Sequence, residues 1–160
     1  MKLYIIQNLN SHWKNNSSKN IITKLAHKFN LEIPQYKETG KPILNTGYIS
    51  ISHSNQFLVV IYSNQPIGID CEIIRPIQQS LIDKLKLDKL NPILDWCKRE
   101  SVIKLLDDKS YLLKKELNEY YFETVSFNPI LCIVLASNQP IPTIEIIHLD
   151  SELNFIDLMK

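Results

Sequence analysis

Two carboxylates separated by a single residue, Asp70 and Glu72, have a spacing that suits metal chemistry. They lie in residues 68–74, a largely apolar stretch with β-branched side chains that predicts a strand. Because side chains alternate along a strand, both acids face one side and the apolar residues face the other. Paired carboxylates backed by an apolar face suit a hard cation such as Mg²⁺. Chance alone predicts about two such pairs in this composition, so the pair by itself does not establish a metal site.

A second pattern lies in residues 92–106, which have the periodicity of a helix. Trp96, Glu100 and Lys104 recur every four residues and therefore share one face. A glutamate and a lysine inside an apolar stripe are costly to bury unless they are paired or bound to a ligand. The alternative is an exposed salt bridge worth about 0.3–0.5 kcal/mol, and the apolar neighbours argue against it. Those neighbours on the same face are Ile93, Cys97 and Ile103.

Two earlier stretches have residue types that suit an anionic ligand. In Gly40-Lys41-Pro42, the glycine lets backbone approach a ligand closely and the proline stiffens the exit, although the tripeptide alone is also an ordinary turn. His53 is flanked on both sides by serine. A histidine between hydroxyls could hold a phosphate, whereas a single histidine in a strand is more often a packed or surface residue.

Charge is unevenly distributed along the chain. Residues 1–69 hold seven lysines and two glutamates, whereas residues 70–160 hold 11 basic and 15 acidic side chains. A cationic first half beside an acidic second half suits an anionic ligand bridged by a metal, although most of these lysines also fit an ordinary surface. The formal net charge of +1 gives no general attraction to nucleic acid, so no nucleic-acid partner is predicted.

Length and composition predict a globular protein with one core. A chain of 160 residues suits a single core of ordinary size. No apolar run approaches the ~20 residues of a membrane span, so no membrane association is predicted. The three cysteines are scattered without the spacing of metal ligands, which predicts buried thiols in a reducing compartment and hence a cytoplasmic location.

Periodicity and turn residues predict a mixture of helices and strands, an α+β fold. The apolar residues 59–62 and the strand at 68–74 predict a hairpin joined by a turn at 63–66. Asn91 and Pro92 are typical of a helix start. The other predicted elements are an opening strand at 1–7, helices from Ser17 or Ser18 to Asn30, at 77–90 and at 151–159, and strands at 120–127, 130–136 and 143–149.

Four motifs in this order resemble the 4′-phosphopantetheinyl transferase family, of the surfactin-synthetase-activating type. Each motif is weak to moderate by itself, and the ordered set of four is the stronger signal. The resemblance covers most of residues 35–149. The motifs are Gly40-Lys41-Pro42, Ile51-Ser52-His53-Ser54, Pro66-Ile-Gly-Ile-Asp-Cys-Glu72 and Trp96-Cys-Lys-Arg-Glu-Ser-Val-Ile-Lys104.

The resemblance implies a fold of two similar α/β halves, a pseudo-dimer within one chain, with coenzyme A in the cleft between them. Residues 1–68 would form the N-terminal half on the coenzyme A nucleotide side. Residues 69–160 would form the C-terminal half on the metal and carrier-protein side. The first half is shortened relative to the family, which implies a compact, truncated form that is a monomer or a homodimer.

The resemblance also implies site residues. Asp70, Glu72 and Glu100 would hold Mg²⁺. Lys104 would neutralise the pyrophosphate of coenzyme A, and Glu100 would orient or deprotonate the attacking serine. The nucleotide would lie against the first half, with His53 near the 3′-phosphate. The coenzyme A-binding set is Gly40, Lys41, Pro42, Ser52, His53 and Lys104, together with Lys19 and Lys14 in place of the family's basic helix.

The implied activity is transfer of 4′-phosphopantetheine from coenzyme A to a serine of an acyl or peptidyl carrier protein, with release of adenosine 3′,5′-bisphosphate. The carrier would dock along residues 77–90.

Two departures from the family are Arg99, in place of a lysine at a predicted outward position, and Asp107, in place of a glycine. The alternatives are a non-catalytic relative that binds coenzyme A or a carrier and needs a partner chain, and an unrelated metal-dependent phosphotransferase.

Overall fold

A computed structural model describes residues 1–7, 16–113 and 116–156. These residues form both helices and strands, which confirms the α+β class. Lys14 lies outside the described residues. The elements are β1 (Lys2–Ile6), α1 (Asn16–Lys28), β2 (Gln35–Tyr36), β3 (Pro42–Ile43), β4 (Tyr48–Ser54), β5 (Phe57–Ser63), β6 (Gly68–Ile73), α2 (Gln79–Leu85), α3 (Pro92–Leu106), a 3₁₀ helix (Lys109–Leu113), β7 (Tyr121–Asn128), β8 (Leu131–Ser137) and β9 (Glu145–Leu149).

The strands form two main sheets. The first has the order β4-β5-β1-β9, in which β1 is antiparallel to β5 and parallel to β9. The second has the order β6-β8-β7 and is antiparallel. The two sheets share one pattern. In each, a helix follows the first strand along the chain, and the last of the next pair of paired strands lies between the other two: β5 between β4 and β1, and β8 between β6 and β7. The strand β9 joins the first sheet although it follows the second along the chain.

The main core lies between the two sheets. Leu3 and Ile5 of β1 are fully buried with Phe57 of β5 against Ile69 and Cys71 of β6. The next residues along β1, Tyr4 and Ile6, point to the opposite face and pack against α1. This arrangement follows from alternation along β1, because every residue from Leu3 to Ile6 is apolar and both faces of the strand are covered.

The predicted hairpin between residues 59–62 and 68–74 is wrong. Both edges of β5 are already occupied, by β4 on one side and β1 on the other. The strand β6 therefore lies in the second sheet and pairs with β8. The true hairpin joins β4 to β5. An apolar run such as β5, buried on both faces, is typical of a central strand, which leaves no free edge for its neighbour in sequence.

The free edge of β6 is bound to β4 through serine side chains, which we call the serine ladder. The ladder consists of Ser50, Ser52 and Ser54, three alternate residues of β4. Their hydroxyl oxygens accept hydrogen bonds from alternate backbone N–H groups of β6, so this edge is satisfied without a backbone partner. The N···O distances are 3.0 Å for Ile69 to Ser50, 3.2 Å for Cys71 to Ser52 and 3.1 Å for Ile73 to Ser54.

Helix α3 packs directly on the start of β6 at Gly68. A Cβ atom built on Gly68 would lie 1.9 Å from the carbonyl oxygen of Ser101 and 2.6 Å from the nitrogen of Leu105. Only glycine allows the two backbones to approach this closely. The bounds of α3 confirm the helix predicted at 92–106.

Other predicted elements differ from the structure at their ends. The helix predicted at 77–90 is limited to α2, and Lys86 adopts a left-handed conformation with φ of 53° directly after it. Helix α1 begins at Asn16, before the predicted serine caps. Residues 151–156 are not helical, because Phe155 bridges to Leu149 instead; the rest of that predicted helix lies outside the described residues. Within the described residues, no helix has the length and apolar character needed to cross a membrane.

The outward position predicted for Arg99 is also wrong. Arg99 is 2% exposed and is the largest of the fully buried side chains described. Its guanidinium donates to the Asp95 carboxylate and to three backbone carbonyls, two at the C-terminal end of α2 and one in the 3₁₀ helix. These carbonyls belong to Leu85, Lys86 and Leu112. Arg99 therefore links α3 to the segments folded over it.

Arg99→Lys is expected to lower the free energy of unfolding by about 2 kcal/mol. Lysine keeps the charge but lacks the planar fork, so several buried acceptors lose their donors. Urea unfolding followed by circular dichroism measures this difference. Arg75→Lys is the matched control, because Arg75 is exposed and should change stability by no more than about 0.5 kcal/mol. Equal losses in both variants would contradict the linking role of Arg99.

Candidate functional site

The predicted acids Asp70 and Glu72 project from β6 toward β4 and α3. Asp70 is 4% exposed. Its Oδ1 atom accepts hydrogen bonds from Ser52 Oγ at 2.8 Å and from Lys104 Nζ at 2.7 Å. Glu72 Oε2 accepts from Ser54 Oγ at 3.1 Å. The serine ladder therefore orients both carboxylates, and the predicted alternation along β6 is confirmed because its apolar residues face the core.

The third predicted acid, Glu100 on α3, interacts electrostatically with the other two. Burial raises the pKa of Glu100 above its usual value, and the negative charges of Asp70 and Glu72 raise it further. Burial likewise raises the pKa of Glu72, and the charge of Asp70 adds to that effect. Lys104 partly offsets both shifts. The three carboxylates, which we call the acidic cluster, thus lie within electrostatic range of one another and of the Lys104 ammonium group.

One oxygen of this acidic cluster has no partner. Asp70 Oδ2 is buried and has no hydrogen bond, which is an expensive state for a carboxylate oxygen. An oxygen-rich set with repelling charges and an orphaned buried oxygen is the kind of environment that a hard cation such as Mg²⁺ would relieve. As the side chains stand, the described residues include no group of three or more His, Cys, Asp and Glu side chains arranged to hold a metal ion.

Lys104 connects the acidic cluster to the serine ladder. Its Nζ donates to Ser52 Oγ at 2.7 Å as well as to Asp70. The Lys104 side chain is 29% exposed, so the ammonium group is at the border between the buried carboxylate and solvent. Ser52 in turn donates to Asp70 and accepts from Lys104 and from the backbone N–H of Cys71. This lysine is placed to neutralise an anion that approaches from the solvent side.

His53 lies close enough to this network to feel its charges. Burial lowers the pKa of the imidazole, and the positive charge of Lys104 lowers it further, while Asp70 opposes both effects. His53 is the second-last residue of β4, and the residue as a whole is exposed to solvent. His53 alternates along β4 with Ser52 and Ser54, which contact the acids, and its imidazole lies within electrostatic range of Lys104 and Asp70.

The Gly40-Lys41-Pro42 stretch lies next to the last turn of α3, the turn that carries Lys104. Lys41 Nζ donates to the carbonyl oxygen of Leu105, the residue after Lys104, at 3.1 Å. Burial lowers the pKa of Lys41. Gly40 has φ of +85°, a backbone conformation that favours glycine, and no atom lies within 4 Å of the position of a Cβ. The turn is therefore open to solvent on one side and held to α3 on the other.

Lys19 lies beyond this turn. Its Nζ lies 4.4 Å from the centroid of the Tyr36 ring. Tyr36 in β2 pairs with Pro42 in β3, so the Tyr36 ring lies between Lys19 and the Gly40-Lys41-Pro42 turn. Among the described residues, the ion pair of Asp70 is with Lys104 and not with Lys19. Within the described part of the chain, the structure therefore links Lys19 to the predicted site only by way of its contact with the Tyr36 ring.

The structure adds a structural role for two serines of β4. Ser50, which no sequence pattern singled out, and Ser54, quoted only as a neighbour of His53, hold β6 in place, and their alternation in β4 was the available signal. A groove of about 280 Å³ begins at Glu72 and is lined by residues 75–78 and by Trp96. Residues 77 and 78 belong to the segment predicted to dock a carrier protein, which places part of that segment next to the acidic cluster.

The metal-free protein is expected to lose stability as pH rises through the raised pKa values of Glu72 and Glu100. A carboxyl whose pKa is raised by folding favours the folded state below its unfolded pKa of about 4.5, and this contribution disappears above the folded pKa. In chelator-treated buffers from about pH 4 to about pH 8, the Glu72→Gln/Glu100→Gln double variant should show a flatter melting-temperature profile than the parent. Glu123→Gln, at an exposed position of β7, is the control. Parallel profiles for parent and double variant would contradict the raised pKa values of Glu72 and Glu100 in the folded protein.

Comparison with known proteins gives no match: no protein-family model matches this sequence, and no curated protein matches it either.

Proposed function

We propose that this chain is a compact 4′-phosphopantetheinyl transferase that modifies a serine of an acyl or peptidyl carrier protein. The observation that carries the proposal is the gathering of residues from all four resembling motifs around the last turns of α3. Asp70, Glu72 and Glu100 form the acidic cluster, Lys104 contacts it, and Lys41 holds the neighbouring turn. Cationic and acidic groups meet there at a partly exposed border, as transfer from a pyrophosphate ester requires.

The repeated topology supports the pseudo-dimer architecture within this proposal. In the first half β1, α1, β4 and β5 occur in this order, with the short strands β2 and β3 before β4. In the second half β6, α3, β7 and β8 occur in this order, with α2 before α3 and the 3₁₀ helix after it. In both sheets the fourth of these strands lies between the other two. Residues 1–68 and 69–160 are accordingly proposed as the two halves, with β9 added to the first sheet. Coenzyme A would lie along their junction, where β4 meets β6.

The metal would be held by the oxygens of Asp70, Glu72 and Glu100, of which Asp70 Oδ2 lacks any other partner. Bound Mg²⁺ supplies charge neutralisation for the pyrophosphate of coenzyme A. The Lys104 ammonium adds a positive charge at Oδ1, the other carboxylate oxygen of Asp70. The ladder serines keep Asp70 and Glu72 oriented. Positioning and charge neutralisation are the main needs of phosphoryl transfer, because little covalent chemistry falls to the protein.

Glu100 is the proposed proton acceptor. The carrier serine Oγ attacks the β-phosphorus of coenzyme A, its proton passes to the Glu100 carboxylate, and the bond from that phosphorus to the bridging oxygen breaks. Adenosine 3′,5′-bisphosphate leaves with the bond's electron pair. A carboxylate is a suitable general base for this step, and in the metal-free protein burial and the charges of Asp70 and Glu72 raise the pKa of Glu100. His53 and Lys41 would face the nucleotide, with His53 near the 3′-phosphate and Lys19 farther out.

Intact-mass measurement on a panel of apo acyl and peptidyl carrier proteins tests the proposal. The expected result is a mass gain equal to one phosphopantetheine group on at least one carrier, dependent on both coenzyme A and Mg²⁺. A carrier whose acceptor serine is changed to alanine is the control and should show no gain. Coenzyme A binding in calorimetry without transfer to any carrier would instead identify a non-catalytic relative. Nucleotide turnover without a carrier would identify an unrelated phosphotransferase.

A further inference from the structure

Two thiols from different elements meet behind the acidic cluster. Cys97 on α3 and Cys132 on β8 belong to one buried cluster with Val134. Both thiols are free, and helix α3, which carries Cys97, packs on the face of β8 that carries Cys132. The third cysteine, Cys71, is fully buried in the separate core between the sheets. The fold therefore selects one pair among the three scattered thiols.

The two thiols differ in their access to solvent. Cys132 lines an open groove of about 480 Å³ bordered by Ile74, Leu94 and strand β7. Cys97 is 0% exposed and lies behind it. A small oxidant that enters the groove reaches Cys132 first, and Cys97 is then the adjacent thiol available to react with the product. This order of access is the arrangement of a peroxide-reactive cysteine next to a resolving cysteine.

We propose that Cys97 and Cys132 are a modification site, a dithiol that a hydroperoxide converts reversibly into a disulfide joining α3 to β8. In the first step, the Cys132 sulfur attacks the terminal peroxide oxygen and the O–O bond breaks. The thiol proton passes to the leaving oxygen, so the peroxide is reduced to water or an alcohol as a sulfenic acid forms. In the second step, the Cys97 sulfur attacks the Cys132 sulfur, the S–O bond breaks, and the hydroxyl leaves as water with the Cys97 proton. A dithiol reductant reverses the change.

The crosslink would restrain the helix that carries Glu100. Cys97 lies one helical turn before Glu100 on α3, and Cys132 is the strand partner of Glu72 in the pairing of β6 with β8. Oxidation therefore ties α3, which carries Glu100, to the strand paired with β6, which carries Asp70 and Glu72. The inference stands on the thiol pair and not on the proposed transferase activity, so the two can fail separately.

The test treats the folded full-length chain with hydrogen peroxide, blocks remaining thiols by alkylation, and measures intact mass and non-reduced proteolytic peptides. The expected result is the loss of about 2 Da before alkylation, one thiol left to alkylate, and a crosslinked peptide pair containing Cys97 and Cys132. A phosphine reductant should restore the original mass and all three alkylations.

Variants separate the two steps. Cys97→Ser should stop at a sulfenic acid on Cys132 that dimedone traps, whereas Cys132→Ser should show no crosslink, and Cys71→Ser should behave as the parent. Peptide mapping of the parent decides the proposal even if a variant fails to fold. A crosslink that includes Cys71, direct conversion of Cys132 to sulfinic acid in the parent, or three unreacted thiols would each overturn it.

Discussion

Replacing Glu100 with glutamine is expected to reduce carrier-protein labelling by at least about 100-fold while the protein stays folded. Glutamine has nearly the same shape, but it cannot accept the serine proton and offers a neutral oxygen where the proposed metal site needs a carboxylate. The rate of mass gain on the best apo carrier, at saturating coenzyme A and Mg²⁺, measures the effect. This change removes one charge and leaves the rest of α3 as it is.

The stability of the same variant separates a catalytic effect from unfolding. Asp70 and Glu72 repel the charge of Glu100, so its removal should leave the melting temperature unchanged or raise it in metal-free buffer. Glu123→Gln makes the identical chemical change at an exposed position of β7 and should retain full labelling. Undiminished labelling by Glu100→Gln would remove Glu100 from the proposed mechanism, and loss of labelling in both variants would point to a general charge effect.

Replacing Gly68 with alanine is expected to destabilise the fold by about 3 kcal/mol or more. The added methyl would lie 1.9 Å from the Ser101 carbonyl oxygen and 2.6 Å from the Leu105 nitrogen, and both are backbone atoms of α3. Backbone within a helix cannot turn aside as a flexible side chain can, so α3 must move away from β6. Urea unfolding monitored by circular dichroism measures the loss.

Gly40→Ala is the matched control for Gly68→Ala, because the chemical change is the same and the surroundings differ. No atom lies within 4 Å of a Cβ on Gly40, so only its left-handed φ of +85° opposes alanine, at about 1 kcal/mol. The Gly68 variant should therefore unfold at a clearly lower urea concentration than the Gly40 variant. Equal midpoints would contradict the close packing of α3 on β6, and with it the placement of Lys104 beside Asp70.

Local periodicity determined the parts of the fold that depend on one segment alone. Alternation along residues 68–74 predicted that Asp70 and Glu72 share a face, and Asn91 with Pro92 predicted the helix that begins there; the structure confirms both. These features follow from the geometry of a single strand or helix, whose repeats of two and 3.6 residues are visible in the sequence. The α+β class follows from the same patterns.

Contacts between distant segments were decided only by the tertiary structure. The apolar run of β5 looks like the partner of β6, yet β4 and β1 occupy its two edges, so β6 is bound to β4 by serine hydroxyls instead. The sequence places Arg99 on an outward face of α3, but the C-terminal end of α2 packs over it and supplies carbonyl acceptors. Sequence periodicity indicates which face of an element is apolar. Which element covers this face depends on which strand edges are still free and on which backbone carbonyls lie nearby. Both are contributed by distant parts of the chain, and only the folded structure specifies them.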